Sequence, residues 1–222
     1  MTVERFSNAS ASVPGAANID VDTASVELIV ISTIFLVLMI IGLVVNIVVF
    51  LTYVRTPRLQ TPTNVFIIGC VICDITMLAI GFPFVIASGY NGWWLFGDVW
   101  CKIYGFVTTL IGVSSVAMLT AVAMDRYFMI LEKPFSARIT VSKAWVTVAA
   151  CYLYGLLWAM FPLFGWSGYV LEHSKISCGP YWHSREPEAR SYNISIFTFV
   201  FLVPICIIAY CYFHILHLVS IT

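Results

Sequence analysis

Four long stretches of the chain contain no Asp, Glu, Lys or Arg: Leu28–Val54, Ile103–Met124, Ala144–Leu171 and Ser191–Thr222. A fifth, Asn64–Ser88, is broken by Asp74 alone. Each exceeds the roughly 20 residues that carry an α-helix across the hydrocarbon core of a bilayer, so the pattern predicts five transmembrane helices. Polar/apolar alternation of period two is missing, which excludes a membrane β-barrel. Before the first stretch, Met1–Val26 is Ala/Ser-rich and carries Glu4, Asp20 and Asp22. It lacks an apolar core with a cleavage site and reads as a disordered tail.

Composition removes the soluble alternatives. Of the 222 residues, 61% are hydrophobic and 10% charged, against about 25% charged in a soluble domain. Eleven basic residues balance eleven acidic ones, so no field attracts nucleic acid. The cations fix the orientation. Arg55 and Arg58 follow span 1, and Lys133, Arg138 and Lys143 follow span 3, whereas the loop between spans 2 and 3 has none before Lys102. The positive-inside rule then places the N-terminus outside the cell and those two loops in the cytosol. The sequence stops at Thr222, where span 5 would emerge, which reads as a fragment of a longer chain.

Polar groups inside spans are costly in lipid and mark function or helix contacts. Asp74 lies near the middle of span 2 and Asn46 in the inner half of span 1; each needs partners, most simply one another, a water or a small cation. Span 3 begins at Cys101 and ends at Asp125-Arg126-Tyr127, about 36 Å apart along a helix, so the two features sit at opposite interfaces. Arg126 cannot lose its proton, and Asp125 is the nearest anion. Such a pair is either a two-state element or an interfacial snorkelling arginine with its neighbour.

Cys101 and Cys178 both fall on the oxidising side, whereas Cys70, Cys73, Cys151, Cys206 and Cys211 lie within spans; a Cys101–Cys178 disulfide is therefore expected. Cys70/Cys73 and His214/His217 have ligand-like spacings without a third ligand and read as packing residues. Trp93, Trp94 and Trp100 read as an interfacial aromatic belt. Pro83, Pro162 and Pro204 interrupt spans where helices bend around a cavity. Asn8-Ala9-Ser10 is a glycosylation site in the outer tail, whereas Asn193-Ile194-Ser195 lies too near the membrane. There is no nucleophile–base pair, phosphate loop or metal motif, so the sequence does not read as an enzyme.

Taken together, these residues resemble a class A G-protein-coupled receptor and, within that class, an opsin. The resemblance covers everything after the tail. It rests on Gly42–Asn46, Asp74, Asp125-Arg126-Tyr127, and Pro204 with Tyr212. More specific are Trp94-Leu95-Phe96-Gly97 leading to Cys101, and Pro162-Leu163-Phe164-Gly165-Trp166-Ser167-Gly168-Tyr169 running to Glu172 and Ser177-Cys178-Gly179. The implied architecture is all-α and integral to the plasma membrane: residues 27–222 form helices 1–5 of an incomplete seven-helix bundle.

The resemblance implies retinal, bound through a Schiff base to a lysine of helix 7. The lysines here are Lys102, Lys133, Lys143 and Lys175, in loops or at span ends, so the attachment lysine is absent from this chain. Vertebrate visual opsins carry a glutamate counterion three residues after the helix 3 cysteine; here that residue is Tyr104. Glu172, six residues before Cys178, matches the alternative counterion position, as in melanopsins and invertebrate rhabdomeric opsins. Tyr152 replaces the family's usual tryptophan and Phe161-Pro162 a usual Pro-Pro. By alignment, Tyr104, Thr108, Thr109 and Gly112 would line the chromophore from helix 3, and Ile196, Phe197, Val200 and Phe201 from helix 5. Asp125, Arg126, Tyr127 and Tyr212 would carry activation of a heterotrimeric G protein, of the q type by resemblance. The rivals are a class A receptor for a diffusible small molecule or peptide, and, more distantly, a five-span enzyme or transporter.

Overall fold

The computed structural model describes residues 16–131 and 139–221; Asn8, Lys133 and Arg138 lie outside the described residues. Five helices are long and apolar enough to cross a membrane. They are α1 (Ala16–Arg55), α2 (Pro62–Asn91), α3 (Gly97–Ile130), α4 (Val141–Phe164) and α5 (Pro187–Leu218). The five spans expected from the charge-free runs are thus all present. The first helix starts earlier than expected: the backbone of residues 16–26, assigned above to a disordered tail, is helical. Ala16, Ala17 and Ala24 are good helix formers, and the acidic residues that ended the apolar run do not stop a helix.

Local signals set the helix starts. Thr61 accepts a hydrogen bond from the Asn64 N–H ahead of Pro62 at the first position of α2, and Thr140 does the same for Lys143 N–H at α4, each satisfying an otherwise orphaned donor. Gly92 ends α2 in the left-handed conformation at φ 78°.

The three proline sites do reshape the spans. The backbone widens into π-helical turns over Met77–Gly81, just before Pro83, and over Phe197–Leu202, just before Pro204. It tightens into a 3₁₀ turn over Phe161–Phe164, which contains Pro162. A proline removes one N–H and crowds the carbonyl four residues back, so the preceding turn changes its pitch rather than breaking the helix in lipid.

Helix α3 is the hub, packing against α2, α4 and α5. One apolar core joins Val65, Phe66 and Cys73 of α2, Ile111 and Met118 of α3, and Val148 of α4. A second joins Val113 of α3 and Trp158 of α4 to Tyr192, Ile196 and Val200 of α5. Close approaches tighten these contacts: a β-carbon on Gly155 of α4 would stand 2.6 Å from the Leu110 carbonyl oxygen of α3. Small residues at helix crossings allow such proximity in membranes. The loop between α4 and α5 folds into an antiparallel hairpin of β1 (Tyr169–Leu171) and β2 (Cys178–Pro180), with Leu171 opposite Cys178. It lies across the Cys101 end of α3.

Candidate functional site

The expected disulfide is formed. Cys101 and Cys178 are bridged with their α-carbons 5.4 Å apart, tying β2 to the first turns of α3. Above it lies an aromatic cap in which the Trp94 ring is parallel to Phe84 at 5.9 Å and the Trp94 Nε1–H donates to the Gly97 carbonyl at 2.9 Å. Trp94 is only 7% exposed, which corrects its assignment to the aromatic belt: it packs on the disulfide with Phe96 and Tyr104. Trp93 and Trp100 remain exposed, as a belt requires.

The bridge fixes where β1 lies, and through it Glu172. Tyr169 is buried against α3, its ring 2.5 Å from where a β-carbon on Gly105 would sit, and its hydroxyl donates to the Ala159 carbonyl of α4 at 2.8 Å. Burial pushes the Tyr169 phenol up to about 12. Because the folded state holds this proton more tightly than the unfolded chain, its contribution to stability is complete below pH about 10 and is lost as pH rises toward 12. Ultraviolet titration of tyrosinate should therefore show one fewer late-ionising phenol in Tyr169→Phe than in the parent. If the variant titrates like the parent, the hairpin is not seated as described.

Glu172 follows β1 and is half-buried. One of its oxygens accepts a hydrogen bond from the Ser177 hydroxyl. The other lies 2.6 Å from the position a β-carbon on Gly179 would occupy, so glycine there leaves room for the carboxylate. The two residues singled out for their departure from the vertebrate pattern both lie at the Cys101 end of the bundle, Tyr104 packed around the disulfide and Glu172 in the turn of the hairpin that the disulfide anchors.

The rest of the expected lining divides. Thr108, Thr109 and Gly112 continue from Tyr104 down α3, all half-buried, and nothing lies within 4 Å of a β-carbon built on Gly112. The Thr108 hydroxyl donates to the Tyr104 carbonyl at 2.8 Å. On α5, Phe197 and Phe201 are exposed, with ring centres 5.3 Å apart. Ile196 and Val200 turn away into the Trp158–Tyr192 core, so they back the wall rather than share its open face. A cavity of about 40 Å³ lies beside Tyr104 and Thr108, bounded by Ile80, Phe84, Trp100 and Val107. A larger cavity of about 240 Å³, lined by Ser167, Tyr181, Glu186 and Glu188, holds none of the expected residues and lies in the loop before α5.

At the opposite end of α3, Asp125 is buried and accepts a 2.6 Å hydrogen bond from the Thr63 hydroxyl of α2. This replaces the expected pairing with Arg126, whose side chain is exposed; the ion pair among the described residues is Lys102–Asp98, one helical turn apart near the start of α3. Tyr127 packs toward Tyr210 and His214 of α5, with ring centres 5.8 and 6.2 Å away, while Tyr212 is exposed. Thr63 and Tyr210 were not singled out from the sequence, and His214 was read there as a packing residue; Thr63 looks like any helical threonine until its partner 62 positions away is known. Asn46 donates to its own helix at the Gly42 carbonyl, 2.9 Å, rather than to Asp74, which is exposed. Asn193 donates to the carbonyls of Tyr181 and Trp182 at 3.1 and 3.2 Å.

Comparison with known proteins decides the family. Residues 45–221 match the family described as 7 transmembrane receptor (rhodopsin family). The chain belongs to this receptor family. Within it, the receptor is 37% identical to melanopsin of Felis catus over 182 residues, 81% of this chain and 37% of that one. It is 36% identical to rhodopsin of Loligo forbesii, over 82% of this chain and 40% of that one. It is 31% identical to the visual pigment-like receptor peropsin of Homo sapiens, over 79% and 52%. A crystal structure of squid rhodopsin superposes with a TM-score of 0.82 at 32% identity, covering 88% of this receptor chain and 57% of that one. The chain thus spans between about a third and a half of the length of these curated relatives. The five spans correspond to part of a seven-helix fold, and the family is one of receptors.

Proposed function

We propose that the chain supplies helices 1–5 of a light-sensing receptor that uses retinal as chromophore and activates a heterotrimeric G protein, of the q type. The observation that supports this best is the carboxylate of Glu172, held half-buried in a disulfide-anchored hairpin that packs across the Cys101 end of α3. It occurs in a chain similar to melanopsin and to squid rhodopsin. The residues fit the group: the hairpin carries a half-buried carboxylate at the Cys101 end of α3, Thr108 and Thr109 supply hydroxyls along that helix, Gly112 leaves space, and Phe197 and Phe201 present an exposed apolar face. Retinal, when bound, supplies the absorption of light and a cationic linkage to the protein.

Glu172 serves that cation as counterion, because an apolar pocket otherwise favours the neutral form. Ser177 orients the carboxylate, and Tyr104, Thr108 and Thr109 bound the polar end of the pocket. Asp125, Arg126, Tyr127 and Tyr212 form the end that meets the G protein, which under this reading is cytosolic. The chain sits in the plasma membrane with its N-terminus outside and Asn8 glycosylated.

The test is to read the transcript beyond the Thr222 codon, express the whole reading frame and add cis-retinal. The expected result is a visible absorption band that Glu172→Gln moves into the ultraviolet at neutral pH. If a chain with a lysine in its last helix forms no band, the reading fails and a receptor for a diffusible ligand takes its place.

A further inference from the structure

Tyr154 stands on α4 at the seam with α5, packed against the Trp158–Tyr192 core. Its hydroxyl donates to the backbone carbonyl of Phe199, 3.0 Å away on α5. That carbonyl lies inside the wide turn Phe197–Leu202, where its own helix has no donor left for it. In an α-helix the Phe199 carbonyl would receive the N–H of residue 203, four positions on. Here the Val203 N–H donates to the Thr198 carbonyl instead, five positions back. The next donor in line would belong to residue 204, which is proline and has no N–H. The wide turn and Pro204 together strip the Phe199 carbonyl of both its helical donors, within a span where lipid supplies none.

Neighbouring rings steer the hydroxyl. Tyr154 meets Trp158 edge to face, with centres 6.2 Å apart, and the Trp158 ring lies against Phe199 itself at 6.3 Å, inclined by 29°. We infer that Tyr154 is a positioning residue for the α5 wall of the pocket: its hydroxyl is the substitute donor that holds the wide turn at its expanded pitch. Without that hydroxyl, the Phe199 carbonyl regains a partner only when the Val203 N–H returns to it, which tightens the turn toward ordinary α-helical pitch. The same turn carries Phe197 and Phe201, so its pitch sets where both rings point. Tyr154 thus acts on the pocket through the backbone of α5. Its effect on a chromophore rests on the light-sensing reading above; the substitute hydrogen bond does not.

The experiment is a double-mutant cycle in the whole reading frame, purified in detergent. Tyr154→Phe keeps the ring and removes the donor. Pro204→Ala restores an N–H at position 204, so the Phe199 carbonyl regains a helical donor whether the turn stays wide or tightens. Without retinal, Tyr154→Phe should lower the melting temperature by about 2–4 °C when Pro204 is present, and by less than about 1 °C in Pro204→Ala. Tyr152→Phe is the control: the Tyr152 hydroxyl also leaves α4 for a carbonyl of a neighbouring helix, that of Gly69 in α2 at 3.1 Å. Its loss should cost the same in both backgrounds. With cis-retinal added, Tyr154→Phe should move the absorption maximum when Pro204 is present and leave that of Pro204→Ala in place. An equal effect of Tyr154→Phe on melting in both backgrounds would mean packing alone and overturns the proposal. Coupled melting with an unmoved band overturns the role in the pocket. A parent that forms no band counts against the light-sensing reading, while the melting cycle, run without retinal, still decides the substitute hydrogen bond.

Discussion

Replacing Cys178 with serine is expected to destabilise the chain more than any other single change described above. The bridge to Cys101 closes a separation of 77 residues, for which chain entropy gives about 4–5 kcal/mol. That figure is an upper bound, because membrane spans already restrict the unfolded chain. A second effect adds to it. Cys101 and Cys178 lie beneath Trp94 with Phe84, Phe96 and Tyr104 packed around, so a serine hydroxyl there would be buried without a partner, costing about 1–3 kcal/mol. Cys178→Ala removes the bridge without introducing that hydroxyl and should be the milder variant. Cys206→Ser, at an exposed free thiol, should leave the melting temperature unchanged. Thermal unfolding in detergent under non-reducing conditions measures all three. A Cys178→Ser protein melting within a degree of the parent would show that the hairpin does not need its anchor.

The second large effect concerns a single missing methyl group. A β-carbon on Gly155 would meet the hydroxyl of Ser114, and also backbone atoms of α3 that cannot rotate away: the Leu110 carbonyl oxygen at 2.6 Å and the Ser114 nitrogen at 3.1 Å. Helices α3 and α4 must therefore move apart to admit alanine, which opens the Val113–Trp158 contact and costs about 1–3 kcal/mol in the manner of other overpacked cores. Gly112 is the internal control. It lies in the same helical environment, but an added β-carbon meets nothing within 4 Å, so Gly112→Ala should be neutral or gain up to about 1 kcal/mol from helix propensity. Equal melting temperatures for Gly155→Ala and Gly112→Ala would contradict the close crossing of α3 and α4.

Those two effects also mark what a reading of the residues can reach. The disulfide was legible because cysteines sort by depth along each span, leaving Cys101 and Cys178 on the same side. The spans were legible because bilayer thickness imposes a length that few soluble patterns share. The hairpin was not, since Tyr169–Leu171 and Cys178–Pro180 are three residues each and too short to show an alternation. Trp94 was misplaced because belts and caps draw on the same aromatic composition near an interface; only the Phe84 ring and the Gly97 carbonyl distinguish them. The Asp125 partner was assigned by proximity along the chain, whereas helix geometry points adjacent side chains in different directions and brings Thr63 across from α2. Within the pocket, the resemblance grouped Ile196 with Phe197 and Val200 with Phe201, but consecutive helical positions cannot face one side.

The wide turn ahead of Pro204 has a consequence for the phase of α5. Tyr192, Ile196, Val200 and Pro204 are all buried, a stripe that returns every fourth residue. An ordinary α-helix turns about 100° per residue, so a strict fourfold interval would spiral off the contact face by about 40° at each return. The expanded pitch over Phe197–Leu202 absorbs that drift. Beyond it, buried Cys211 and Ile215 resume the ordinary phase against the Tyr127 end of α3. The helix therefore carries two clocks joined at one slack turn, and deleting a residue between Phe197 and Leu202 would swing Tyr210 and His214 about 100° around the axis while leaving Tyr192 in place.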